Sequence, residues 1–81
     1  MYTVYIIHSE KTDRYYIGYT SDLNKRLKQH NSGANISTRD QIPWRIIHHE
    51  LFSTKREAWS RERTIKSYKG GEAFKKLIEN K

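Results

Sequence analysis

The sequence predicts an α+β domain, a three-stranded antiparallel sheet with flanking helices in the order β-β-α-β-α-α. Three observations lead there. Two β-rich runs stand close together across a short polar segment, a third alternating run follows Pro43, and two stretches with helical spacing of apolar residues each start at a capping residue.

Tyr2 to His8 is apolar or aromatic on both alternating faces, the pattern of a central strand covered on both sides. Ser9 to Arg14 is polar and turn-like, and Tyr15 to Thr20 resumes β character, so the two runs are expected to pair as a hairpin. Ser21-Asp22 offers an N-cap for a basic helix that carries Leu23 and Leu27 and ends near Asn31, before Ser32-Gly33. Residues 34–43 have no periodicity and read as an exposed loop, open to movement or to a ligand. Trp44 to Phe52 alternates as a third strand. Thr54, followed three residues later by Glu57, forms a capping-box pattern for a second helix reaching about Tyr68. Gly70-Gly71 breaks the chain before a short last helix, Glu72 to about Glu79, with Phe74, Leu77 and Ile78 on its apolar face.

With 81 residues this is the material of one domain, residues 1–81, and a chain of that size buries only about 60% of the surface it exposes when unfolded. A polar group placed in so small a core is informative. Sixteen Lys and Arg against nine Asp and Glu give a net charge of +7, with residues 1–40 contributing six basic and four acidic groups and residues 41–81 ten and five. Such an excess favours a polyanion such as nucleic acid, although a basic surface also serves solubility alone. The absence of cysteine excludes disulfides, thiolate metal sites and thiol catalysis. No apolar run approaches the length of a membrane span, and the N-terminus lacks the pattern of a signal peptide, so a cytoplasmic location is expected.

Three sets of residues break the simple pattern of apolar inside and polar outside. At about 100° per residue, Ile65 lies about 20° to one side of Ala58 and Glu62 about 40° to the other, so Glu62 falls within the apolar arc of the second helix. A carboxylate aimed there needs a cation, and both a metal ion and a structural salt bridge satisfy that need. On the first helix Arg26 and His30 lie one turn apart at one edge of the apolar stripe; such a pair can grip a phosphate and carry a proton, or can simply be part of a solvated basic face. Six tyrosines include Tyr5 and Tyr16, which share a face of the sheet if an even number of residues separates their strands. His48 and His49 are neighbours on a strand and face opposite ways, so they do not form one metal site. No phosphate-binding Gly-rich loop, serine-hydrolase elbow or zinc-protease helix motif occurs.

Thr3-Val4-Tyr5, then Tyr16-Ile17-Gly18 with the second tyrosine eleven residues after the first, then "SDLNKRLKQHNSG" and "TKREAWSRERTIK", resemble the GIY-YIG nuclease superfamily over nearly the whole chain. The small single-domain bacterial members are the most similar. The resemblance places the motif tyrosines at Tyr5 and Tyr16, the helix arginine at Arg26, the residue one turn later at His30 and the metal-binding glutamate at Glu62. It implies hydrolysis of DNA phosphodiester bonds with Mg²⁺ or Mn²⁺ held by Glu62, a tyrosine assisting attack by water, Arg26 neutralising the phosphate and His30 orienting or relaying a proton. Lys25, Lys28, Arg63, Lys66 and Lys69 would grip the backbone without sequence choice.

Three positions depart from the family pattern. Thr3 stands for the first motif's glycine, and Tyr19 for a lysine of the excision-repair nucleases. The family's later asparagine has no clear match, since Phe74 lies near its place and Asn80 falls beyond it. The expected partner is DNA, branched or damaged, in a repair setting, with a protein partner supplying specificity; the alternative is a non-catalytic nucleic-acid-binding module of the same fold.

Overall fold

A computed structural model describes residues 1–79. Asn80, considered above as a candidate for the family asparagine, lies outside the described residues. The strands are β1 (Tyr2–Ser9), β2 (Tyr15–Thr20) and β3 (Trp44–Phe52), and the helices are α1 (Leu23–Ser32), α2 (Lys55–Ser67) and α3 (Glu72–Glu79). The sheet order is β2-β1-β3, with β1 antiparallel to both neighbours. The expected architecture and element order are thus observed.

β1 is central because both of its faces are apolar, and each face feeds a different core. Val4 and Ile6 are fully buried against Ala58 and Ile65 of α2 and Phe74 of α3. Tyr5 and Ile7 point the other way, towards Trp44, Tyr16 and the α1 residues Leu23 and Leu27. The sheet therefore separates α1 from α2 and α3. No helix among the described residues is long and apolar enough to cross a membrane.

Local chemistry fixes the helix positions. Asp22 caps α1 by accepting from the Lys25 amide at 3.1 Å, and Gly33 closes it in the left-handed region at φ 84°. Thr54 and Glu57 form the expected capping box of α2. Arg61 of α2 then donates two bonds to Glu50 of β3, at 2.8 and 3.0 Å, and Glu50 also bonds His48 Nε2 at 2.7 Å. Burial alone would raise the Glu50 carboxyl, but the Arg61 and His48 bonds hold it below the usual carboxylate range. This clamp sets the rotation of α2: with Arg61 tied to β3, the next residue, Glu62, emerges on the opposite flank of the helix.

Residues 34–43 are mostly exposed, as expected, but are more ordered than a plain loop. Arg39–Gln41 form a turn of 3₁₀ helix, and Thr38 is 1% exposed. The Trp44 indole donates to the Thr38 carbonyl at 2.9 Å and the Ser9 hydroxyl to the Gln41 carbonyl at 2.6 Å, so the segment is stitched to both strands. Small polar residues read as solvent-facing in sequence because their partners are distant in the chain.

Asn31 links α1 to β3, with Oδ1 accepting from the Trp44 amide at 2.6 Å and Nδ2 donating to the Trp44 carbonyl at 3.1 Å. Asn31→Ala is expected to cost about 1–3 kcal/mol in urea unfolding, since both backbone groups lose a partner. A neutral result would show that this clamp does not secure the helix.

Candidate functional site

Tyr5 sits on β1 opposite Gly18 of β2, and Ile7 opposite Tyr16. An even run, Ser9 to Arg14, separates the paired His8 and Tyr15, so Tyr5 and Tyr16 do share a face. Their ring centroids are 6.4 Å apart, and His30 of α1 packs against both, at 5.9 Å from Tyr5 and 4.9 Å from Tyr16. Gly18 makes this possible. A Cβ there would lie 2.7 Å from the Tyr5 hydroxyl and 2.9 Å from Cζ, so the Tyr5 ring rests directly on the bare backbone of the edge strand.

His30 is fully buried rather than at the edge of the helix stripe. Its Nδ1 lies 2.9 Å from Thr38 Oγ1, and Nε2 lies 3.0 Å from the Tyr5 hydroxyl. Thr38 directs its own hydroxyl hydrogen to the Asn35 carbonyl at 3.5 Å, which leaves its oxygen to accept from Nδ1–H. Nε2 is then the acceptor for the Tyr5 O–H. Burial, reinforced by the nearby Arg26 charge, lowers the His30 pKa below its ordinary 6.5 and keeps the imidazole neutral.

Burial also raises Tyr5 above its ordinary 10.0, so the resting group is a phenol. The low-polarity pocket outweighs the lowering effect of the nearby Arg26. Arg26 opposes the rise, while the Tyr16 and Glu62 charges add to it. Arg26 Nε is buried without a hydrogen-bond partner, although Nη1 reaches Gln29 Oε1 at 3.3 Å. A desolvated cationic donor lacking an acceptor fits an anionic oxygen delivered from outside.

Glu62 lies on α2, which packs on the other face of the sheet, and only its charge bears on Tyr5. Its side chain is 14% exposed and pairs with Lys66 Nζ at 3.4 Å, one turn on, where the Lys66 side chain is 55% exposed. A pair of this kind contributes only about 0.3–0.5 kcal/mol and yields readily to a better cation. The described residues contain no group of three or more His, Asp or Glu suited to a metal.

Of the five residues singled out from sequence, Tyr5, Tyr16 and His30 pack directly together and Arg26 stands one turn before His30 on α1, while Glu62 of α2 bears on Tyr5 through its charge. Tyr19 pairs with Val4 and packs on the opposite face, so His30, not the Tyr19 position, lies beside the Tyr5 phenol. Phe74 is 4% exposed and belongs to the α2-side core. Lys25, Lys28, Arg63, Lys66 and Lys69 are all exposed. Lys25 lines a polar depression with Thr20 and Arg26, and Lys66 and Lys69 line another with Tyr15 and Ile17, so cations flank both ends of β2. Sequence reasoning missed Thr38 and the reason for Gly18, whose partners appear only once α1 and β1 are placed.

Residues 1–75 match the model of the GIY-YIG catalytic domain. A UPF0213 protein of Haloquadratum walsbyi is 41% identical over 80% of this chain and 73% of its own length. Another, from Staphylococcus saprophyticus, is 34% identical over 94% of this chain and 93% of its own. The solution NMR structure of a UPF0213 protein from Bacillus halodurans aligns over all of this chain and 86% of that one, at a TM-score of 0.62 and 31% identity.

Two outcomes test this geometry. Gly18→Ala is expected to destabilise the fold by about 1–3 kcal/mol, because the buried Tyr5 ring cannot yield to the new methyl; unchanged urea unfolding would contradict the close approach. His30 resists protonation when folded, whereas the unfolded imidazole takes a proton near pH 6.5. Its contribution to stability is therefore complete above that pH and declines as pH falls below it. His30→Gln should flatten the decline in urea unfolding between about pH 7.5 and 5; a slope equal to wild type would show that His30 is not held neutral.

Proposed function

Because the chain belongs to the GIY-YIG family, a family of nuclease type, we propose that it is a metal-dependent endonuclease that hydrolyses DNA phosphodiester bonds. The observation that carries this reading is a buried, unpartnered Arg26 Nε near a phenol whose oxygen lies 3.0 Å from Nε2 of a buried imidazole. One group awaits a phosphate oxygen and the other can take a proton from water beside it.

Tyr5 acts as the base in this reading. Its oxygen accepts a proton from the attacking water while its own proton passes to Nε2 of His30. A phenol with a raised pKa is a poor base alone, and the onward transfer removes the need for a standing phenolate. Thr38 holds Nδ1–H and so keeps Nε2 ready to accept. Tyr16, half-buried beside His30, contributes its hydroxyl to orienting the water or a phosphate oxygen. Arg26 binds the phosphate and neutralises the charge that grows on it in the transition state.

The donor chemistry at Glu62 suits a hard divalent cation, since a carboxylate oxygen is the right ligand type and its lysine mate is weakly held. Mg²⁺ or Mn²⁺ held by Glu62, with water and phosphate oxygens completing its shell, would supply Lewis-acid stabilisation of the leaving 3′ oxygen. Lys25, Lys28, Arg63, Lys66 and Lys69 would bind the backbone and make affinity fall with salt.

The test is incubation of the chain with flapped, branched and duplex DNA and Mg²⁺ or Mn²⁺. Glu62→Ala and Arg26→Ala should each reduce cleavage by at least about 100-fold, and Tyr5→Phe by a similar factor, with folding retained by circular dichroism. Cleavage equal in wild type and Glu62→Ala would place the activity elsewhere. Salt-sensitive binding with no cleavage under either metal would favour a binding module.

A further inference from the structure

Trp59 is the large aromatic that neither core uses. It lies on α2 and is 46% exposed, whereas Trp44, the other tryptophan, is 4% exposed. The Arg63 guanidinium carbon stands 5.0 Å from the centre of the Trp59 ring, a cation–π stack that holds the indole in place and covers one side of it. Trp59, Glu62, Arg63 and Lys66 fall at i, i+3, i+4 and i+7, so they share one flank of the helix, and Trp59 stands just under one turn, a rise of about 4.5 Å, from Glu62. Lys66 lines a depression with Tyr15 and Ile17 of β2, so this flank borders the same strand edge as the candidate site.

We propose that the Trp59 ring, backed by Arg63, is a stacking platform for an unpaired nucleobase of single-stranded DNA leading away from the scissile phosphate. The proposal rests on the nuclease reading above and adds the substrate class to it. Charge complementarity identifies the occupant: Arg63 lies against the indole and Lys66 follows two turns along the same flank, cations that suit a phosphodiester backbone, while the exposed π-face suits a base. Bases inside a duplex are already stacked and cannot lie on the ring, so the platform selects flaps, gaps or frayed ends over blunt duplex. The neighbouring Glu62 places the stacked base within a nucleotide or so of the reacting centre.

Because Trp44 is buried, Trp59 serves as its own reporter. The experiment titrates the chain, with EDTA present, against a duplex bearing a single-stranded flap and against blunt duplex, reading tryptophan fluorescence and, separately, the anisotropy of a dye on the DNA. Quenching that saturates with the flapped DNA and is absent with blunt duplex is expected. Trp59→Ala should abolish the quenching and reduce flap affinity relative to blunt duplex by about tenfold, while Trp59→Phe should retain most of the preference. Flap preference unchanged in Trp59→Ala, or equal quenching by blunt duplex, overturns the platform and leaves the indole to a protein partner. Anisotropy separates the two readings: DNA binding without Trp59 quenching removes the platform alone, whereas no DNA binding by either readout removes the nuclease reading as well.

Discussion

The hydrogen bond between the Tyr5 hydroxyl and Nε2 of His30 lies at the centre of the molecule, and much of the surrounding sequence is constrained by it. Both groups are buried, so neither tolerates the loss of the other without leaving a desolvated polar atom. The bond needs Tyr5 on the α1 face of the central strand, His30 two turns into a helix that begins at Asp22, and a second acceptor at Thr38 to choose the tautomer. It also needs a backbone without a side chain beneath the phenol. Gly18 meets that last requirement.

Charge around the phenol has opposite signs from two layers of the protein. Arg26 comes from α1 on the same face, and Glu62 comes from α2 on the other. The position of Glu62 follows from its neighbour: Arg61 is held by Glu50 of β3, so consecutive residues of α2 serve opposite edges of the sheet. A small domain can thereby bring an acid and a base from separate cores to one rim. The exposed cations near both ends of β2 make that rim attractive to a polyanion.

The order of elements was legible because each signal is local. Tyr2 to His8 shows its double burial in composition, Thr54 and Glu57 announce a helix start, and Gly33 announces a stop. Glu62 was legible as an anomaly, since a carboxylate in an apolar arc breaks the helical pattern; of the two partners posed for it, the structure shows the cationic side chain, Lys66 at 3.4 Å. His30 was placed at the edge of its stripe and proves fully buried, because the 34–43 segment folds over it. Within that mostly exposed segment Thr38 is the exception, because it looks polar and solvent-facing until His30 of α1 and Trp44 of β3 are set against it. Gly18 carried a motif but not its cause, which is a contact across the hairpin.

The most direct measurement of the central interaction is a two-dimensional ¹⁵N–¹H spectrum of the His30 ring at neutral pH. A neutral imidazole protonated on Nδ1, with Nε2 showing the shift of a hydrogen-bonded acceptor that is lost in Tyr5→Phe, is expected. A charged ring, or a proton residing on Nε2, would mean that His30 cannot receive the Tyr5 proton.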